Sequence, residues 1–191
     1  MGSEEWNSEL LGNLLDFSNG KSSPTRTDEI GFPVFGSNGI IGYSDIVNSI
    51  ARTIIIGRVG TYCGSVQYSS TPCWVTDNAI RAVTIDDDSP RFFYYLLKSL
   101  SLNRLKTGSG QPLLNQSTLT QLRIARPPIA EQRAIAHILG TLDDKIELNR
   151  RMNSTLEEMA RALFRSWFVD FDPVHAKAEG RTPTGVDAET A

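Results

Sequence analysis

The sequence has no apolar run approaching the roughly 20 residues that span a bilayer, although 40% of its residues are hydrophobic. A soluble chain is expected. Met1-Gly2-Ser3 opens neither the basic nor the apolar stretch that begins an export signal. Cysteine is scarce. Cys63 and Cys73 have no CxxC spacing and no neighbouring histidine, which suits neither a zinc site nor a disulfide framework and fits a reducing cytoplasm. An excess of positive charge is also missing. A formal net charge of −3 argues against a free-standing nucleic-acid binder held mainly by phosphate contacts, so such a role requires a local patch or partners. Acidic residues are relatively plentiful after Pro128, which favours the earlier part as a nucleic-acid face.

Signatures of catalysis are missing as well. The adenine-methylase motif N/D-P-P-[FY] does not occur, and Asp172-Pro173-Val174 reads as a helix terminator. Gly108-Ser109-Gly110 lacks the third glycine of a dinucleotide or S-adenosylmethionine loop. Gly20-Lys21-Ser22 imitates the end of a P-loop, but Leu15 stands where the first glycine must be, which leaves a polar loop. His137 sits among apolar residues and His175 near the end, neither with a nucleophile and carboxylate around it. A non-catalytic chain with no metal or cofactor of its own is the expectation.

What is present divides into a compact body and a long helix. The 191 residues suffice for one ordinary domain with an appendage. After a short amphipathic lead, Leu10 to Leu15, and a polar loop, Ser18 to Pro24, short β-type runs alternate with turn residues: Phe32 to Phe35, Ile40 to Tyr43, Thr53 to Gly57, Ser65 to Tyr68, Cys73 to Val75 and Ala79 to Ile85. Ser89-Pro90 has the form of an N-cap with proline at N1, opening a helix whose Phe92, Phe93, Leu96, Leu97 and Leu100 make a buried face. A break at Thr107 to Pro112, a short helix near Ser117 to Gln121 and a strand at Leu122 to Ala125 complete the body. The expected fold class is α+β: a small mixed β-rich domain over residues 1–127, one long coiled-coil-forming α-helix over 128–170, and a flexible tail over 171–191.

Along the helix, Ile135, Leu139, Leu142, Ile146, Asn149, Asn153, Leu156, Ala160, Leu163 and Trp167 follow the alternating four-three spacing of a heptad seam. About forty residues at 1.5 Å each give a rod of about 60 Å, longer than the small domain can cover. The seam therefore calls for a partner helix; the competing reading is a helix that folds back and caps its own domain with part of the seam. Two copies pairing antiparallel about a twofold axis near Arg151 would set Asn149 against Asn153, Ile146 against Leu156, Leu142 against Ala160, Leu139 against Leu163 and Ile135 against Trp167. The paired amides would fix register at some cost in stability. Parallel pairing stays open. Met152, Met159 and Phe164 widen the apolar face, leaving room for a further partner.

The run Pro127-Pro128-Ile129-Ala130-Glu131-Gln132-Arg133-Ala134-Ile135-Ala136, continuing through Leu142-Asp143-Asp144-Lys145-Ile146-Glu147-Leu148-Asn149 to Arg161-Ala162-Leu163-Phe164-Arg165-Ser166-Trp167-Phe168, resembles the spacer helix of type I restriction-modification specificity subunits. Pro33 to Gly39, Ile56 to Gly60 and Gly108 to Pro112 are similar to parts of that family's target recognition domain. The resemblance covers nearly the whole chain. It implies a cytoplasmic subunit that reads double-stranded DNA, while partner methyltransferase (modification) and restriction/motor subunits hold S-adenosylmethionine and ATP/Mg. The methyltransferase would act on an adenine flipped from the duplex. Members of the family carry two recognition domains and two antiparallel spacer helices, whereas this sequence holds one of each. It thus resembles a half subunit, completed by a second copy of itself, with a bipartite, palindromic target. Two other readings stay open: a helix-mediated interaction adaptor or remnant that reads no DNA, and a recognition module of a combined restriction-methylation enzyme.

Base edges are read by Asn, Gln, Arg, Ser and Thr, and glycine-rich loops bring backbone close to phosphates. The candidates are Ser37, Asn38 and Tyr43 on a first loop, Arg58, Thr61 and Tyr62 on a second, and Lys106, Thr107, Ser109 and Gln111 on a third. Arg104 and Lys106 suit phosphates. Each loop also has an ordinary structural reading, Gly-Ser-Asn-Gly as a turn and Gly-Ser-Gly-Gln-Pro as a helix break.

Overall fold

The computed structural model describes residues 6–28, 30–86, 88–107 and 113–181, and the chain divides into two units between Gly140 and Thr141. The lead around Leu10 to Leu15 is split between elements. It makes β1 (Asn7–Leu10), a single 3-10 turn (Leu11–Asn13) and the start of β2 (Leu15–Asn19), an arrangement that buries Leu11, Leu14 and Leu15 together. The elements that follow are β3 (Phe32–Gly36), β4 (Gly39–Ser44), β5 (Thr53–Gly57), β6 (Val66–Ser69), β7 (Trp74–Val75), β8 (Ala79–Thr84) and α1 (Pro90–Ser99). Then come a 3-10 turn (Leu102–Leu105), α2 (Gln116–Thr120), β9 (Arg123–Arg126), α3 (Ile129–Phe168) and α4 (Asp172–Ala178).

These strands form three sheets. An antiparallel sheet runs β2-β8-β5-β6; a second runs β4-β3-β7, with β7 parallel to β3; and β1 pairs antiparallel with β9. Every residue of β5 is buried, which explains why Ile54-Ile55-Ile56 shows no alternation of polar and apolar side chains. Ile54 and Ile56 join the main core with Phe92, Phe93 and Leu97 of α1, while Ile55 joins a second cluster with Phe35, Cys73, Val75 and Ala79. The start of α1 is as the sequence predicts: Pro90 stands in the first turn and Phe92 N donates to Ser89 Oγ at 3.4 Å. Its last expected core residue, Leu100, is 38% exposed, because α1 ends at Ser99 and the chain turns away at Ser101, which has φ 49°.

The first turns of α3 are fastened to this body by a polar cluster. Gln132 is fully buried; its Nε2 donates to Asp88 Oδ1 at 2.7 Å and to the Pro127 carbonyl at 3.1 Å, and its Oε1 accepts from Ser89 N at 3.0 Å. Arg126 Nη2 donates to Asp88 Oδ1 at 3.0 Å and lies 2.9 Å from Oδ2, close enough for an ion pair but out of line for a second hydrogen bond. Register sets the other partner, since Glu9 on β1 is diagonal to Arg126 on β9 and their charged groups meet at 3.2 Å. Burial opposes the Arg126 charge, but the hydrogen bonds and charges of Asp88 and Glu9 outweigh it and raise the guanidinium pKa. Gln132, Ala136 and Gly140, four residues apart on one stripe, are the buried residues of α3.

In the second unit α3 continues to Phe168, and Val169 and Asp170 both donate their amides to the Arg165 carbonyl. Phe171 at φ 54° reverses the chain into α4, whose first turn holds Pro173 and whose Asp172 Oδ2 accepts from Ser166 Oγ at 2.8 Å. The flexible tail expected over 171–191 is corrected in its first part. Asp172-Pro173 ends one helix and opens another, since proline is tolerated in a first turn. Residues 182–191 lie outside the described ones. Among the described residues no helix is long and apolar enough to cross a membrane.

Candidate nucleic-acid interface

The three candidate loops lie together on the first unit. The β3–β4 hairpin has a two-residue tip, Ser37-Asn38, between the paired Gly36 and Gly39, and Asn38 is exposed. The segment from Arg58 to Ser65 links β5 to β6, with Thr61 and Tyr62 exposed. Ser65 Oγ donates to the Ser37 carbonyl at 2.5 Å, joining the second loop to the first. Gly57 makes that approach feasible. A Cβ there would stand 2.4 Å from the Tyr62 carbonyl oxygen and 2.7 Å from that of Ser37.

The third loop is attached to the second by backbone. Thr107 and Leu113 exchange both hydrogen bonds, at 2.9 and 3.0 Å, Leu113 also bridges to Val59, and Leu114 N donates to the Arg58 carbonyl at 2.9 Å. Arg104 in the 3-10 turn, Lys106 and Thr107 are exposed beside this junction, and the positive charge of Lys106 reaches Cys63 of the second loop. Arg58 is half-buried; its amide donates to the Asn78 carbonyl and its guanidinium to the Asp77 carbonyl at 3.3 Å, which limits its reach. Tyr43 stands apart from the tip, inside β4 opposite Pro33, with its backbone paired to Thr27. The hairpin is too tight to include it. Ser109 and Gln111 lie outside the described residues.

The electrostatics of this rim follow from a local absence. No Asp or Glu occurs between Asp45 and Asp77, nor between Asp88 and Glu131, and these two stretches carry Arg52, Arg58, Arg91, Lys98, Arg104, Lys106, Arg123 and Arg126. The second and third loops come from them. Asp77 is exposed beside Arg58, but among the described residues the second and third loops themselves carry cations and hydroxyls and no carboxylate, and such loops attract a polyanion even on a chain of net negative charge. Among the described residues no group of three or more His, Cys, Asp or Glu could hold a metal ion.

The helical seam divides at Gly140. Ile135 is half-buried against the main core and Leu139 is half-buried too, so the first two seam positions are engaged by the first unit. From there on the seam is open: Leu142, Ile146, Leu156 and Leu163 are 48–59% exposed, Trp167 is 37% exposed, and Asn149, Asn153 and Ala160 face solvent. Met152, Met159, Phe164 and Phe168 are exposed as well. A helix that caps its own domain is therefore the right description of the first three turns, and an unsatisfied seam that of the rest. Nothing in the sequence points to the Asp88–Gln132–Arg126 cluster, whose members are up to 44 residues apart.

The family model described as type I restriction modification DNA specificity domain matches residues 3–158. This chain belongs to that family. It is 50% identical over 96 residues to the HindI specificity subunit of Haemophilus influenzae, a match covering 47% of this chain and 21% of that protein. With the EcoprrI specificity subunit of Escherichia coli it shares 31% over 112 residues, 59% of this chain and 28% of the relative. The fold is that of the type I restriction-modification S subunit from M. genitalium, with a TM-score of 0.75 at 23% identity over 94% of this chain and 51% of that one. This specificity-family chain thus spans about half the length, or less, of the proteins it matches.

Proposed function

We propose that this chain is a non-catalytic recognition subunit that reads double-stranded DNA in sequence-specific fashion. The observation that carries the reading is the convergence of three loops rich in hydroxyl and amide groups, whose described residues include no carboxylate. Asn38, Thr61, Tyr62 and Thr107 supply groups able to meet base edges, while Arg58, Arg104 and Lys106 supply charge for phosphates.

A second copy, paired through the open seam from Leu142 to Trp167, places an equivalent reader at the other end of an antiparallel helix pair. The layers Asn149–Asn153, Ile146–Leu156 and Leu142–Ala160 lie wholly within the exposed stretch, whereas Ile135–Trp167 is an edge contact because Ile135 already packs on its own domain. Twofold symmetry in the protein calls for an interrupted palindrome in the DNA. Methyltransferase subunits bind the widened apolar face and supply S-adenosylmethionine, and a restriction/motor subunit supplies ATP/Mg, all in the cytoplasm.

The spacing of the two half-sites then follows the helix length. Seven residues inserted after Arg150 lengthen each helix by about 10 Å, or roughly three base pairs at 3.4 Å each. Methylome sequencing of cells carrying the extended chain with its methyltransferase should show half-sites moved apart by that amount. An unchanged interval would exclude the ruler, and methylation that ignores the chain altogether would favour a helix-mediated adaptor.

A further inference from the structure

Beside the reading loops lies a cleft of about 390 Å³ between the Thr61–Val66 stretch and the segment from Lys98 to Asn103. We propose that this cleft seats a backbone phosphate of DNA, with its flanking sugar, and so fixes the recognition unit on the duplex independently of base sequence. The proposal rests on the DNA-reading function above and adds residues that function does not use: Lys98, Ser101 and Asn103.

The cleft has a built floor. Gly64, at φ +85°, lies so near the neighbouring segment that a Cβ would stand 2.4 Å from the Asn103 amide nitrogen and 2.7 Å from the Leu102 carbonyl carbon. Only glycine permits this approach. On the opposite wall Ser101 adopts a left-handed conformation, φ 49° and ψ 52°, uncommon for a residue with a side chain, and so turns the chain from the end of α1 into the 3-10 turn that faces Gly64.

Beside apolar Val66 and Leu102, the polar side chains of the lining are donors, and among the described residues it holds no carboxylate. Hydroxyls of Thr61 and Ser101, the Asn103 amide and the Lys98 ammonium border it, and Arg104 and Lys106 follow directly in sequence. Lys98 Nζ also donates to the Tyr94 hydroxyl at 3.0 Å. Among the described residues Tyr62 is the sole aromatic in the lining, so a base would have no pair of rings to lie between. The chemistry suits an anion of the backbone.

Lys98→Gln, an exposed change, should preserve the melting temperature. Binding of mixed-sequence and methylation-site duplexes by the full chain, with its methyltransferase partner, is measured by fluorescence anisotropy across a salt series. With one phosphate no longer neutralised, the slope of log affinity against log salt should shrink by about 0.9 for both duplexes. Lys98→Arg should restore it. Asn103→Ala should weaken both duplexes several-fold with little change in slope, as expected for a neutral donor. A slope unaltered by Lys98→Gln, or a loss confined to the methylation-site duplex, overturns the phosphate seat while leaving the DNA-reading function standing. Failure of the unmodified chain to bind any duplex defeats that function, and the seat with it.

Discussion

Replacing Gln132 by alanine tests how the long helix is fastened to the recognition unit. The side chain is fully buried and makes three hydrogen bonds, to Asp88, to the Pro127 carbonyl and from the Ser89 amide. Truncation strands the Ser89 N–H and the Pro127 carbonyl in a dry site and deprives a buried carboxylate of one of its donors. At about 1–3 kcal/mol for each group left unsatisfied, and with Arg126 still compensating Asp88, the net loss comes to about 3 kcal/mol. For a folding unit of this size that lowers the melting temperature by roughly 10 °C. Gln132→Glu retains the size and one acceptor but sets a second carboxylate against Asp88, and should cost more than the alanine. Thermal unfolding of the full chain followed by near-ultraviolet circular dichroism provides the measurement. Self-association below the new midpoint should persist, because the seam from Leu142 onward takes no part in this cluster. A shift under about 2 °C would refute the assignment of Gln132 as the fastening residue.

Leu156→Glu should abolish self-association, since the twofold axis repeats the change and each leucine removed is worth about 1.5–3 kcal/mol, together at least a hundredfold in affinity; sedimentation velocity reports it, and Ile146→Lys on the facing helix should recover a mixed pair. Unchanged association would reject the seam as the interface. Burial pushes both thiols, Cys63 and Cys73, above their ordinary value of 9.0; at Cys63 the Lys106 charge and a backbone hydrogen bond with Leu114 only partly offset this, and at Cys73 a hydrogen bond with Ser69 does the same. The native chain should therefore react slowly with a thiol reagent at pH 8 and label at both sites on unfolding. Because the unfolded thiols ionise first, their contribution to stability is level below about pH 9 and declines as pH rises above it, which denaturant titrations at several pH values would check.

What can be read from the sequence is whatever one segment settles alone. Ile54-Ile55-Ile56 announces a strand buried on both faces, and Ser89-Pro90 announces the first turn of α1, because the determining groups lie within a few residues of each other. The lead from Leu10 to Leu15 misleads, since its apolar spacing serves a strand, a turn and another strand, whose paths are set by β8 and β9 more than sixty residues away. Asp172-Pro173 is ambiguous for a related reason: the same dipeptide can end a helix or start one, and Phe171 at φ 54° decides between them. At the candidate interface the loops are visible by composition, but their adjacency is not. It depends on Gly57 and Gly64, whose need for a missing Cβ emerges only when Tyr62, Ser37 and Asn103 are in place around them.

The distribution of charge reconciles a net value of −3 with the proposed DNA-reading role. Residues 1–130 hold eleven carboxylates and eleven cations, so the whole excess of negative charge lies in residues 131–191. Within residues 1–130 the acids fall at positions 4–45 and 77–88, so the second and third loops contain none, although Asp77 adjoins Arg58. One such unit would offer few phosphate contacts, and counterion release would then give it only modest affinity. Two units joined by a stiff helix pair escape that limit, because once the first is bound the second meets its half-site at high effective concentration. Under the proposed pairing the open apolar seam and the modest charge would be two sides of one design, with affinity coming from two weak readers held at a fixed distance. A seam variant such as Leu156→Glu should accordingly lose DNA binding together with self-association, although every residue of the three loops is untouched.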